Sequence, residues 1–327
     1  MIVLGVDGGG TKTHALAVDE HGTVVGVGVG KHSNYQTSGL DWAISVIADA
    51  TRQALGTIRP DKAVYCLAGC DTDLDEMRLI PAIRALGLVD DFVCYNDTFA
   101  PLRAGSRRPY GVTVICGTGF NACGIAPDGR QAKLRSLGEL TGDWGGGHSL
   151  GEAVSGAVYR AEDGRGEATL LTSLMLDTLR IPDLTTLAYR IIDGEFTPAQ
   201  VATLAPLVFE ASERGDRVAQ SIMARQVDEI VIAASAMLRR LDMLDLEVDV
   251  VLSGGVIQGN GSRLVEMVTE RMAHQWPKAN VCRLEIPPVT GAVLLAFDAC
   301  GVPAPTIQLD RNHVAIDPST WQRFIVE

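Results

Sequence analysis

The stretch Val6-Asp7-Gly8-Gly9-Gly10-Thr11-Lys12-Thr13 stands between two β-like runs, residues 2–7 and 13–19. Three successive glycines are a poor continuation for a strand, so they predict a tight turn between antiparallel strands. Bare backbone N–H groups can surround phosphate oxygens, and an acid at the end of a buried strand can hold Mg²⁺. The stretch is therefore a candidate phosphate loop, although a plain glycine hairpin with an incidental aspartate would show the same pattern.

Two common nucleotide motifs do not fit this chain. A Walker A loop has its lysine directly after the last glycine and then a helix, whereas Thr11 separates Gly10 from Lys12 and a strand follows. The later run Gly26-Val27-Gly28-Val29-Gly30 has neither the spacing nor the helix of a dinucleotide fingerprint. Phosphate binding at the first stretch would therefore use a β-hairpin.

The order of predicted elements indicates two similar halves. A third strand follows residues 13–19, and helices and strands alternate from there to residue 105. The predicted order over residues 1–105 is β-β-β-α-β-α-β-α. A polar loop at 105–109 precedes a second three-stranded meander at 111–134, and a helical block at about 150–242 interrupts the repeat. We predict an α/β protein with domains at 1–107 and 108–300 that face each other, followed by a C-terminal tail at 301–327.

The charge and the hydropathy pattern exclude several classes of partner. The 327 residues carry a net charge of −12, which repels nucleic-acid phosphates and anionic lipid headgroups. The chain has no apolar run of about 18 residues, and its start lacks the basic region and cleavage site of a signal peptide. We expect a cytoplasmic protein without a nucleic-acid or membrane partner. Its seven cysteines, an odd number, are expected to be reduced and mostly buried.

Glycine is in excess and unevenly placed. Of 35 glycines, 27 fall in residues 1–166, and only Gly194 and Gly215 fall between 167 and 253. Glycine clusters mark backbone that turns sharply or approaches a ligand, whereas the glycine-poor stretch is typical of helices.

Two further motifs stand where predicted strands end. Gly117-Thr118-Gly119 occupies the same place in the second meander as the glycine stretch does in the first. It is usually a plain turn, but two such hairpins facing a cleft would hold one polyphosphate. Asp97, in Asn96-Asp97-Thr98, precedes a helix and would either cap it or accept a proton from an attacking hydroxyl.

Two other glycine-rich segments each allow more than one role. Residues 138–151 lead into a helix whose N-terminus could bind a substrate or a phosphate. Gly254-Gly255 ends a buried strand and either lets an adenine approach the backbone or forms a simple turn. Within the first segment, no role is assigned to Gly145-Gly146-Gly147 or to His148.

The order of these motifs resembles that of the acetate kinase, sugar kinase, Hsp70 and actin superfamily. The sequences of the motifs are most similar to those of the N-acetylglucosamine kinase group, which also contains ATPase activators of benzoyl-CoA reductase and 2-hydroxyacyl-CoA dehydratase. The resemblance rests on Gly-Val-Asp-Gly-Gly-Gly-Thr-Lys-Thr, Asn-Asp-Thr, Gly-Thr-Gly-Phe-Asn and Gly-Asp-Trp-Gly-Gly-Gly. It implies two ribonuclease H-like domains facing a nucleotide cleft, with a helical insertion in the second.

The resemblance also implies roles for individual residues. Asp97 would be the catalytic base, and Asp7 would organise Mg²⁺. ATP would contact Gly8, Gly9, Gly10, Thr11, Lys12, Thr13, Gly117, Thr118, Gly119, Gly254 and Gly255. The sugar would contact Asn34, Asn96, Asp97, Thr118, Gly142 and Asp143.

The expected activity is ATP-dependent phosphorylation of the 6-hydroxyl of glucosamine or N-acetylglucosamine, with ATP and an amino sugar as small-molecule partners and a possible homodimer. One alternative is an ATPase activator of a 2-hydroxyacyl-CoA dehydratase type enzyme, in which cysteines hold an iron–sulfur cluster. The other is a non-catalytic sensor of sugar or nucleotide.

Overall fold

A computed structural model of the protein describes residues 1–260 and 262–309. Its strands are β1 Ile2–Gly8, β2 Lys12–Asp19, β3 Val24–Lys31, β4 Lys62–Leu67, β5 Phe92–Asn96, β6 Gly111–Cys116, β7 Phe120–Ile125, β8 Gln131–Lys133, β9 Val248–Ser253 and β10 Ala279–Arg283. Its α-helices are α1 Tyr35–Ser38, α2 Leu40–Leu55, α3 Asp73–Ala85, α4 Phe99–Gly105, α5 Gly146–Glu162, α6 Leu171–Leu179, α7 Leu184–Ile192, α8 Pro198–Ala202, α9 Ala205–Glu213, α10 Arg217–Arg240, α11 Gly255–Asn260, α12 Ser262–Gln275 and α13 Pro288–Ala299. A 3₁₀ turn, Gly138–Thr141, precedes α5.

The described residues form two compact units. Unit 1 contains Met1–Gly111 and the described residues from Leu284 onward, and unit 2 is Val112–Arg283. The sheet of unit 1 has the order β3-β2-β1-β4-β5, and the sheet of unit 2 has the order β10-β9-β6-β7-β8. Both sheets follow one plan. The three strands of the meander lie side by side in reverse order, so that its first strand is central, and the two later strands follow on the other side.

The common plan confirms the predicted fold class. In each unit an antiparallel meander continues into two parallel strands joined through helices, as expected for ribonuclease H-like domains. The helical insertion, α5 to α10, lies between β8 and β9 of unit 2. Of the predicted tail 301–327, the part beyond residue 309 lies outside the described residues.

The run of alternating glycines in β3 has a packing role. A Cβ atom on Gly28 would lie 1.9 Å from the carbonyl oxygen of Ala50 in α2. The bare strand thus lets the helix backbone rest directly on the sheet. Ile47 and Ala54 of α2 are fully or almost fully buried in the core of unit 1.

Helix α13 does not lie in the domain for which we predicted it, since we expected the second domain to run to residue 300. The helix belongs to unit 1, where it packs on β1 and α4. A Cβ atom on Gly5 would lie 2.4 Å from the amide nitrogen of Val293, and one on Gly291 would lie 1.8 Å from the carbonyl oxygen of Ala100. Two glycines therefore allow backbone-to-backbone contact that a sequence pattern alone does not reveal.

None of the helices within residues 1–260 and 262–309 combines the length and hydropathy needed to cross a bilayer. The seven cysteines are free thiols, as predicted, and five of them are buried.

We predict that Gly291→Ala destabilises the protein through the contact between α13 and α4. Overpacking of about 3 kcal/mol would lower the midpoint of thermal unfolding by about 6–12 °C. Circular dichroism melting measures this midpoint.

The matched control is Gly156→Ala in α5, where an added Cβ meets no atom within 4 Å. There the better helix propensity of alanine is expected to leave the midpoint unchanged or slightly higher. Equal melting of Gly291→Ala and wild type would contradict the proposed contact.

Candidate functional site

The parallel strands of unit 1 bring the predicted acidic residues to one sheet edge. β1, β4 and β5 run in the same direction, so their carboxyl ends meet at the same edge. The N–H of Ala68 donates to the carbonyl of Gly8 at 2.7 Å, and the N–H of Asp97 donates to the carbonyl of Leu67 at 3.2 Å. The loop after β5, which carries Asp97, is thus tied to β4, and β4 is tied to the end of β1, which carries Asp7.

Asp7 and Asp97 affect each other electrostatically. Desolvation raises the pKa of Asp7 to about 7, and repulsion by Asp97 adds to the rise, whereas the cation of Lys12 opposes it. Two carboxylates at one edge are hard oxygen ligands of the kind that Mg²⁺ prefers, and Mg²⁺ is commonly held by one or two carboxylates together with substrate phosphates. The residues present therefore fit a magnesium ion.

Asn96 holds the loop that carries Asp97. Its side-chain oxygen accepts hydrogen bonds from the N–H of Thr98, at 3.1 Å, and from the Thr98 hydroxyl. Its side-chain nitrogen donates to Asp71 at 2.8 Å, and the residue is almost fully buried. Asn96 therefore positions Asp97, a role that the sequence pattern did not indicate.

Asn34 lies in a loop that contacts the same edge. It caps α1 by accepting the N–H of Gln36 at 3.0 Å, and the amide of Gln36 donates to Gly69 and to Asp71, each at 3.2 Å. The predicted sugar contacts of unit 1, Asn34 and Asn96, are thus linked through Asp71.

Sequence reasoning missed Asp71 and also Asp75 in the next helix. Burial would raise the pKa of Asp75, but hydrogen bonds from Tyr35 and Thr72 hold it below its ordinary value. The available signal was the capping-box pattern of Thr72 and Asp75 at the start of the helix that follows a buried strand.

The first glycine hairpin forms as predicted between β1 and β2. The N–H of Gly9 donates to the carbonyl of Lys12 at 2.9 Å, and Gly10 and Thr11 are exposed at the tip. Thr13 is fully buried; its hydroxyl donates to the carbonyl of Lys31 and is hydrogen-bonded to the hydroxyl of Ser33. The exposed backbone of the tip, rather than the Thr13 side chain, is the part of this hairpin that can face a phosphate.

The second hairpin, Gly117-Thr118-Gly119, is attached to the first turn of α5. The N–H of Gly147 donates to the carbonyl of Gly117 at 2.8 Å, and the N–H of His148 donates to the carbonyl of Thr118 at 2.9 Å. The N–H of Gly146 donates to the side chain of Gln226 at 3.1 Å. These three donors at the start of α5 already have protein acceptors, so they do not provide the anion site that we expected at this helix N-terminus.

The triple glycine 145–147 makes this attachment possible. Gly146 has a φ of +74°, and a Cβ atom there would lie 2.2 Å from the carbonyl oxygen of Gly119. Gly145 has a φ of +139°, and a Cβ atom there would lie 2.7 Å from the ring of Phe120. Gly145 and Gly146 are thus required for close packing between helix and hairpin, whereas a Cβ on Gly147 would lie 3.5 Å from the carbonyl oxygen of Gly117, an ordinary contact.

The turn after β9 lies against the same hairpin. Gly254 has a φ of +99°, and a Cβ atom there would lie 2.4 Å from the backbone of Cys116. The predicted phosphate and adenosine motifs of unit 2 are therefore adjacent.

Beside them is a cavity of about 280 Å³ within unit 2. Its wall consists mainly of glycines and small or apolar residues: Gly117, Thr118, Gly147, Ala202, Ala205, Pro206, Phe209, Gly255, Val256 and Gly259. An apolar cavity with bare glycine backbone in its wall suits a flat purine base. Sequence reasoning missed the contribution of α8 and α9, because their apolar residues look like ordinary helix core.

The loop that carries Gly142 and Asp143 is held on α10. Asp143 is buried and accepts a hydrogen bond from the hydroxyl of Thr141. Trp144 is also buried, and the guanidinium carbon of Arg225 lies over the Trp144 ring, 4.0 Å from the ring centroid. The predicted substrate residues of this loop therefore have a fixed support within unit 2.

The cysteines of the activator alternative have surroundings that disfavour thiolates. Cys66, Cys70 and Cys116 are buried, and burial raises the pKa of the Cys116 thiol. Iron–sulfur ligation uses thiolates. No observation on the described residues favours this alternative.

Comparison with known proteins agrees with this geometry. The chain is 29% identical over 318 residues to the N-acetyl-D-glucosamine kinase of Dictyostelium discoideum, a match that covers 91% of this chain and 98% of the relative. It is 28% identical over 304 residues to the N-acetylmuramic acid/N-acetylglucosamine kinase of Clostridium acetobutylicum, covering 91% and 99% of the two chains.

Solved structures share the fold. A Chromobacterium violaceum protein crystallised as a candidate N-acetylglucosamine kinase matches with a TM-score of 0.67 at 24% identity, covering 90% of this chain and 98% of that one. A family model matches residues 4–296, nearly the whole described chain. The protein therefore belongs to the BadF/BadG/BcrA/BcrD ATPase family.

Proposed function

We propose that the protein is an ATP-dependent amino-sugar kinase that phosphorylates the 6-hydroxyl of N-acetylglucosamine or glucosamine. The observation that carries the proposal is the pair Asp7 and Asp97 at one sheet edge, with Asp97 in a loop fixed by Asn96. The names of the Dictyostelium and Clostridium relatives support an amino sugar as acceptor.

In this proposal the residues divide the work of phosphoryl transfer. The cavity of unit 2 binds the base, and the backbone of the two glycine hairpins binds phosphates. Asp97 accepts the proton of the sugar hydroxyl while the oxygen bonds to the γ-phosphorus and the bond to the ADP oxygen breaks. Asp7 would hold Mg²⁺, which neutralises phosphate charge when bound. The cytoplasmic location and the homodimer stay predictions from the sequence.

Asp97→Asn is expected to lower kcat by about 10²–10⁴-fold, because the amide cannot accept the hydroxyl proton. The measurement is coupled ADP release with N-acetylglucosamine, glucosamine, N-acetylmuramic acid, glucose and no sugar. Wild type is expected to release ADP with an amino sugar well above the no-sugar rate.

The control for this variant is Asp90→Asn, which removes the same charge from an exposed residue before β5. It should retain wild-type turnover. A folded Asp97→Asn protein with more than about a tenth of wild-type turnover would contradict the assigned base. ADP release that is the same with every sugar and without sugar would contradict the kinase itself.

Asp7→Asn is expected to change how stability depends on pH. The folded-state pKa of Asp7, about 7, is above the ordinary value of 3.8, so the folded chain binds more protons than the unfolded chain between these values. This carboxyl therefore lowers stability as pH rises through that window, and the asparagine variant lacks the effect. In metal-free buffer we expect the unfolding midpoint of Asp7→Asn, relative to wild type, to rise by at least about 2 °C from about pH 5 to about pH 8.

Differential scanning calorimetry at both pH values provides the test. For the exposed control Asp90→Asn, the difference in unfolding midpoint from wild type should change less between the two pH values. If the unfolding midpoints of Asp7→Asn and Asp90→Asn depend on pH in the same way, the raised pKa of Asp7 is contradicted.

A further inference from the structure

The cavity of unit 2 has a phosphate end and an opposite end. Its phosphate end is at Gly117 and Gly147, where a Cβ on Gly147 would lie 3.7 Å from the Cβ of Ala202. From Ala202 the wall continues through Ala205 to Phe209, which are one helical turn, about 6 Å, apart along α9. Along α9 the wall therefore leads away from Ala202 to Phe209.

A second cavity also has Phe209 in its wall. It has a volume of about 460 Å³ and lies among α9, α10 and α12. Its wall includes Ser212 and Glu213 from the next turn of α9, Met223 of α10 and Met267 of α12. Phe209 lines both cavities and is almost fully buried. One aromatic side chain is thus shared by the walls of both cavities.

The chemistry of the second cavity suits an apolar group. Phe209, Met223 and Met267 provide apolar surface, and methionine side chains adapt to irregular shapes. Arg263 is on the exposed rim and forms an ion pair with Glu266 at 3.0 Å. Glu213, the other charged residue of the wall, is also exposed, so the apolar part of the wall is left for an uncharged substituent.

We propose that Phe209 is a specificity-determining residue that closes the base end of the nucleotide site. The cavity behind it is a latent extension, which a nucleotide with an apolar group on its adenine ring would enter once the phenyl ring is removed. This inference rests on the proposed use of ATP, and it adds which residue limits the size of the accepted base.

The test compares wild type with Phe209→Ala by isothermal titration calorimetry with ADP, N6-benzyl-ADP and an 8-substituted ADP that carries an apolar group. Wild type should bind ADP and bind both modified nucleotides at least about tenfold more weakly. Phe209→Ala should bind at least one modified nucleotide about tenfold or more tighter than wild type does. Phe209→Leu, which keeps an apolar side chain in the helix, should show a smaller gain and serves if the alanine variant does not fold.

The matched control is Met267→Ala, which enlarges the second cavity and leaves the wall intact. It should gain nothing for either modified nucleotide. The inference is overturned if wild type binds modified and unmodified ADP equally, if folded Phe209 variants bind ADP without any gain, or if Met267→Ala gains as much as Phe209→Ala. Failure of wild type to bind ADP would overturn the proposed function, and this inference with it, whereas the other outcomes leave the kinase proposal standing.

Discussion

The contact between the first turn of α5 and the hairpin Gly117-Thr118-Gly119 is the constraint on which the candidate site of unit 2 depends. Two backbone N–H groups of the helix donate to two carbonyls of the hairpin, and the approach is so close that Gly146 has no room for a Cβ. Backbone hydrogen bonds of this kind fix both orientation and distance, since neither the donor nor the acceptor group is on a rotatable side chain. The hairpin is thereby held in one position relative to the helical insertion.

The rest of the cavity follows from this attachment. Because α5 is fixed to the hairpin, the helices packed on it, α8 and α9, line the space beside the hairpin. The turn at Gly254 closes the other side by the same device, a glycine against the backbone of Cys116. The helical insertion is therefore part of the cavity that we propose for the nucleotide. Its apolar helices supply most of the wall, while the hairpin and the turn supply bare backbone.

In unit 1 the corresponding constraint is the shared direction of β1, β4 and β5. It places Asp7 and Asp97 where each raises the electrostatic cost of ionising the other, and Asn96 and Asp71 hold the intervening loops. Such an arrangement is unfavourable for an empty protein and favourable for one that binds a divalent cation. The strained acidic pair is thus a sign of function rather than of stability.

The sequence by itself determined the fold class, the repeated meander, the helical insertion and the positions of the glycine turns. These depend on local patterns, namely strand alternation, helix periodicity and the φ angles or close approaches that glycine permits. It did not determine that α13 packs in unit 1, that Gly145–Gly147 attach α5 to the hairpin, or that Phe209 lines two cavities. Those facts arise from contacts between residues far apart in the chain, such as Gly291 with Ala100 and Gly146 with Gln226. Only the tertiary structure brings such residues together, because the space available to a side chain is set by the neighbour across the contact.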